Sequence, residues 1–286
     1  MRHLFFFLTI LFFDLTASPD FVVFTQPHTG THLLVPLLEE LTGKEGLWPF
    51  QYFTPDSSCD EETFEYLAED PEYLAFLWNK TPTPKKQFSR ALIHLKNRNQ
   101  FLFLHAPYTP NMEAFLAENG YKVFTIDRDP RDTCISALLH CRKFGTGLID
   151  GPWFHEMSFN DQLEMIITGT DWTNSARHLS CAFMNWHFSP ISCNVNFSRL
   201  LGPMGGGASV DEQIQELRKI ARFLEIDVSD ERLIEAFYSV YGKGHTFHKG
   251  NVGMWEDYFN SDNKWLFKDQ MADILIKLGY EEDRYW

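Results

Sequence analysis

Positive charge is scarce in this chain. Lys and Arg number 25 against 39 Asp and Glu, for a net charge of −14 and an isoelectric point near 5.2. That shortage argues against a general nucleic-acid binder, which needs a basic face to neutralise phosphates. Any phosphate site must be local, built from a few cations and backbone amides. Cysteine is scarce too. Cys59, Cys134, Cys141, Cys181 and Cys193 are odd in number and lack metal-type spacing, so a disulfide framework is not indicated, although one bridge has room to form. After the N-terminal run there is no apolar stretch of membrane length, about 20 residues. Also missing are an internal repeat, a linker long enough to divide two domains, and the HExxH and GxxxxGK[ST] signatures. His28 and His32 at i, i+4 and His245 and His248 at i, i+3 have no acidic partner at recognisable spacing, so no metal is expected.

What is present suits a globular protein: 286 residues, 44% hydrophobic and 16% aromatic, enough for one large α/β domain or two small ones. Met1-Arg2-His3 precedes a nearly unbroken apolar run, Leu4 to Phe13, and a small residue, Ala17, follows. A basic start, about ten apolar residues and a small residue describe a signal peptide over residues 1–17, with residues 18–286 as the mature domain. This predicts export or entry into a secretory pathway and no membrane span in the mature chain. The alternative is a cytoplasmic protein in which Leu4–Phe13 is a native strand or helix.

Short apolar runs alternate with helical patterns. Phe21–Phe24, Phe101–Leu104, Lys122–Ile126 and Ser192–Phe197 read as strands, and Gly43–Ser58 as loop. Helices are expected where Leu34, Leu37, Leu38 and Leu41 share a face, over Glu61–Trp78 and Asn111–Asn119, and where Ile135, Leu138 and Leu139 recur. Pro203–Gly207 reads as loop, Ser209 and Glu212 as a capping box for a helix through Phe223. Asp230–Val240 and Lys264–Leu278 follow as further helices. This alternation predicts an α/β fold of three α/β/α layers around a mostly parallel sheet.

Strand, polar loop, helix is how such a fold builds an anion cradle, because helix-start N–H groups and the helix dipole favour negative charge. Thr25-Gln26-Pro27-His28-Thr29-Gly30-Thr31-His32 has that form. Gly30 allows close approach, and Thr29 and Thr31 add hydroxyls. The plainer reading of this segment is an ordinary βα turn. Ligands in parallel sheets bind beyond the carboxyl ends of the strands, and this loop, His105 and Arg128 all stand at such ends.

Pro27-His28-Thr29-Gly30-Thr31 resembles the phosphosulfate-binding loop of the sulfotransferase family, usually proline, lysine, serine, glycine, threonine. Arg128-Asp129-Pro130-Arg131-Asp132, with Ser136 eight residues after Arg128, resembles that family's 3′-phosphate motif. Phe247 to Trp255 resembles its glycine motif, and His105-Ala106-Pro107 the segment that carries its catalytic histidine. Leu278-Gly279-Tyr280 is also similar, and order and spacing agree from about Phe21 to Tyr280.

The resemblance implies a P-loop-like sulfotransferase fold and a donor, 3′-phosphoadenosine 5′-phosphosulfate. It implies sulfuryl transfer to a hydroxyl or amine of a small-molecule or carbohydrate acceptor, without a metal. His28, Thr29, Gly30, Thr31 and His32 would hold the 5′-phosphosulfate. Arg128, Ser136, His248, Lys249 and Gly250 would hold the 3′-phosphate. His105 would accept the acceptor's proton, and His28 stands where the family's catalytic lysine steadies the bridging oxygen. Further departures are His248 for an arginine, Leu33 for an adenine-stacking tryptophan, Phe197 for a tyrosine and Glu256 for a basic residue. Two alternatives stay open: a sulfotransferase-like protein that binds nucleotide or sugar without chemistry, and a P-loop phosphotransferase.

Overall fold

The computed structural model describes residues 18–47, 92–144, 152–170, 174–243 and 251–286. The signal-peptide reading of residues 1–17, the helix expected over Glu61–Trp78, and His248, Lys249 and Gly250 lie outside the described residues.

Five strands form the central sheet. They are β1 (Phe21–Phe24), β2 (Glu45–Leu47), β3 (Gln100–Leu104), β4 (Lys122–Asp127) and β5 (Ser192–Asn196). Their order is β2-β3-β1-β4-β5, and every pairing is parallel. The three central strands are near-continuous apolar runs because parallel strands are covered on both faces. Alternation then sorts β1: Phe21 and Val23 face one core, Val22 and Phe24 the other. The fold is α/β with the expected three layers.

The first face is covered by α1 (Thr31–Thr42) and, later in the chain, by two helices that pack over it, α8 (Val210–Phe223) and α9 (Asp230–Val240). The opposite face takes residues 92–97, which are helical, α2 (Pro110–Glu118) and Trp186 from α6 (Ala176–His187). A third core joins α3 (Pro130–Phe144), α5 (Phe159–Thr168), α6 and the C-terminal α11 (Ser261–Leu278). The shorter helices α4 (Pro152–Glu156), α7 (Phe197–Leu201) and α10 (Trp255–Tyr258) complete the described elements.

Local chemistry sets the ends. Thr109, Ser158, Ser175, Ser209 and Ser229 each cap a helix through the side chain, and Ser209 with Glu212 forms the expected capping box. Three readings are corrected. The Gly43–Ser58 loop contains β2, an edge strand that exists through its pairing with β3. The Pro203–Gly207 loop begins as a 3-10 turn, Gly202–Gly205. Phe197 opens α7 instead of closing a strand, because Asn196 turns the chain by capping Arg199 N–H. Cys134, Cys141 and Cys193 are buried, and these three and Cys181 are free thiols.

Candidate functional site

The carboxyl ends of β1, β3 and β4 meet around the loop that precedes α1. That loop is tightly wound: His28 has φ 67 and Gly30 φ 124. A left-handed histidine costs on the order of 1–2 kcal/mol, and such residues gather at functional sites. Gly30 is required on two counts. Its φ is unfavourable for any side chain, and a Cβ there would lie 2.7 Å from Phe197 Cδ2. The backbone can therefore pass close to α7 only without a side chain at this position. The first bonds of α1 run from Leu33 and Leu34 N–H to Gly30 O. The N–H groups just before them are those that a helix cannot satisfy internally.

The loop is braced from beneath. Thr29 is buried, and its hydroxyl donates to Gln26 O at 2.7 Å. Buried Thr31 and Thr25 share a 2.7 Å bond between their hydroxyls. Both hydroxyls expected to face a ligand thus hold the loop's shape. His32 is exposed at the start of α1.

His105, at the end of β3, places Nδ1 2.9 Å from Thr25 O. A carbonyl only accepts, so Nδ1 carries the proton and Nε2 the lone pair. Burial lowers the His105 pKa to about 4, against the raising effect of the Thr25 bond and with a smaller lowering from His32. At neutral pH it is an uncharged imidazole, the form a proton acceptor needs. Its segment is fixed from behind: Thr25 N–H donates to Leu104 O, Tyr108 N–H to Ala182 O, and Trp186 Nε1 to Ala106 O at 3.0 Å. Trp186 is fully buried, so it serves as a support and not as a cleft wall.

Arg128 follows β4 and is 9% exposed. Its guanidinium lies 4.5 Å over the Phe197 ring. Nη1 donates to His28 O at 3.3 Å and Nη2 to Asn251 O at 3.2 Å. Nε is buried and has no hydrogen-bond partner among the described residues. A buried guanidinium with an unspent donor is costly unless a ligand completes it. Nearby, Asp132 in the first turn of α3 accepts from Gly253 N–H at 2.8 Å and Trp255 N–H at 3.0 Å. That clamp brings residues 251–255, the end of the glycine motif, to Arg128. Arg131 is tied elsewhere, to Asp129 and Glu281 and against the rings of Trp255 and Trp286. Ser136, half-buried, stands one turn beyond Asp132 on the same face of α3.

The His28 imidazole is strongly perturbed. Its pKa falls to about 3, first through desolvation, then through His140, His105, Arg128 and His32. His140, one turn beyond Ser136, puts its ring centroid 5.2 Å from that of His28. The sequence reading overlooked His140, although helical spacing from Asp132 through Ser136 marks it. It also overlooked Thr25, which holds both Thr31 and His105. Among the described residues no group of three or more His, Cys, Asp or Glu is arranged to hold a metal ion. No described helix is long and apolar enough to cross a membrane.

No family model matches the chain, and no curated protein matches it significantly. Solved structures do. A mouse sulfotransferase, SULT7A1, complexed with PAP aligns with a TM-score of 0.59 at 17% identity over 92% of this chain and 88% of that one. Retinol dehydratase in complex with androsterone and the inactive cofactor PAP aligns at 0.53, with 18% identity over 90% and 80%. Retinol dehydratase with retinol and PAP aligns at 0.54, with 18% identity over 92% and 83%. The chain thus shares the fold of these PAP complexes, the sulfotransferase SULT7A1 among them, a P-loop-like α/β architecture matched over about nine-tenths of its length.

Proposed function

We propose that this protein is a sulfotransferase that takes a sulfuryl group from 3′-phosphoadenosine 5′-phosphosulfate to a hydroxyl or amine. The observation that carries this reading is the meeting of the His28–Gly30 loop, His105 and Arg128 beyond three parallel strand ends. The similar structures with PAP add support. The residues fit the donor: a glycine that brings backbone amides close, and a buried Arg128 with Nε unspent. The donor would supply an activated sulfuryl group.

In this reading the backbone from His28 to His32 binds the 5′ end, while Thr29 and Thr31 hold its shape. Arg128 and Ser136 bind the 3′-phosphate, joined by His248, Lys249 and Gly250. Arg128 can grip two oxygens at once. His105 accepts the acceptor's proton at Nε2 while Thr25 O fixes the ring. Positioning and charge stabilisation then do most of the work, as in phosphoryl transfer.

The acceptor is proposed as a small molecule or carbohydrate. The leader over residues 1–17 is proposed to send the protein to a compartment supplied with imported donor, and a reporter fused after Ala17 tests it. The main test is transfer of labelled sulfate from the donor to a panel of phenols, alcohols, amines and sugars. Transfer is expected, with His105→Ala lowering kcat about a hundredfold or more. Undiminished turnover in that variant overturns the base assignment. A second reading, binding without chemistry, is favoured by the uncharged state of His28 in the free pocket. It predicts PAP binding with no transfer to any acceptor.

A further inference from the structure

His140 has no part in the reading above. It lies on α3 at the third position of the series Asp132, Ser136, His140, and that spacing sets all three on the face turned toward the pocket. Its ring meets that of His28 at 5.2 Å with a 56° angle between planes. Four imidazoles thus converge from separate parts of the fold. His28 comes from the loop after β1, His32 from α1, His105 from the end of β3 and His140 from α3.

Among the described residues, the charged groups that act on the His28–His140 pair have one sign. His28 is faced by His105, His32 and Arg128, and His140 by Lys143 on its own helix. Two carboxylates, Asp129 and Asp132, act on Arg128. Phe144 packs on the outer side of His140, 4.8 Å between centroids. Desolvation and these neighbours keep protons off both rings in the free protein. A polyanion entering the pocket reverses the balance, because each imidazolium then gains an opposite charge.

We propose that His140 is a positioning residue for the anionic end of the donor, acting through His28, and that this pair takes up a proton from solvent as the anion binds. The inference rests on the sulfotransferase reading. It explains how a pocket with histidine in place of a lysine acquires its cation: the ligand recruits it.

The test is titration calorimetry of adenosine 3′,5′-bisphosphate into the full chain at pH 7, in PIPES and in Tris. The heats differ by the number of protons exchanged multiplied by the difference in buffer ionisation enthalpy. A phosphate's second ionisation, near pKa 6, is almost complete at that pH and would release protons, the opposite sign. Net uptake is expected, with affinity falling as pH rises from 6 to 8, by up to tenfold per unit. His140→Gln keeps a polar side chain without the charge. It should reduce the uptake and flatten the pH profile while still binding the bisphosphate. His140→Lys, with a permanent cation, should bind with less pH dependence.

Binding with no net uptake by the native protein overturns the inference and leaves the sulfotransferase reading standing. So does uptake unchanged in His140→Gln. No binding by the native protein anywhere from pH 5.5 to 8 overturns the reading itself. Should His140→Gln fail to fold, the native proton count and His140→Lys decide the matter.

Discussion

His28 concentrates the tensions of the site, a left-handed backbone and a desolvated ring. Both His28 and His105 have folded pKa values below the ordinary 6.5, at about 3 and about 4. Between those values and 6.5 the unfolded chain binds more protons than the folded one, so folding stability rises with pH through that window. The protein should therefore lose stability as pH falls from about 6.5 toward 3. His105→Gln should flatten the slope of urea-unfolding free energy against pH. A slope unchanged by that variant would contradict the assignment. Gly30→Ala tests the cradle. The added methyl meets Phe197 at 2.7 Å with φ at 124, so a loss of roughly 1–3 kcal/mol is expected in urea unfolding, together with a loss of bisphosphate affinity.

At the scale of elements, α3 carries the site. Its first turn holds Asp132, clamped on Gly253 and Trp255, and its next two turns present Ser136 and His140. Asp132→Asn keeps one acceptor oxygen and sets an amide N–H₂ against the second backbone donor. One buried N–H loses its partner, at a cost of about 1–3 kcal/mol. Bisphosphate affinity should fall with it, because Asn251 O is one of Arg128's two anchors. Most such elements were legible. Phe21–Phe24, Phe101–Leu104 and Lys122–Ile126 are apolar runs bounded by polar turns, and buried parallel strands require that pattern. β2 was not legible, because Glu45-Gly46-Leu47 has one large apolar residue and is a strand only through β3. Phe197 misled because its apolar character serves the Gly30 contact and the Arg128 stack. The loop, Arg128 and His105 could be found from strand ends and motif. His140 could not be found from motif, since its role depends on which loop α3 faces.

Across the whole molecule, distant parts of the chain are drawn to the end of β4. Tyr280, after α11, donates its hydroxyl to Asp127 Oδ2 at 2.7 Å, and Asn196 from β5 reaches the same oxygen at 3.3 Å. Asp127 immediately precedes Arg128, so the C-terminal segment ties down the backbone that leads into Arg128. Asp127 Oδ1 is buried with no partner among the described residues, which makes the Tyr280 bond costly to lose. Tyr280→Phe should cost about 1–3 kcal/mol, read as a lower urea midpoint with an unchanged m-value. Trp286 adds a second tie by packing on Arg131.

In the proposed function one pocket, built from the His28–Gly30 loop and Arg128, grips an adenylate carrying phosphates at both its 5′ and 3′ ends. The most direct measurement is the melting temperature with adenosine 3′,5′-bisphosphate and, separately, with ATP and magnesium. At a hundredfold excess over Kd the bisphosphate should raise it by about 4–5 °C, ATP with magnesium should do little, and Arg128→Ala should remove the rise. An unchanged melting temperature with the bisphosphate, or a larger rise with ATP and magnesium, would rule out such a pocket.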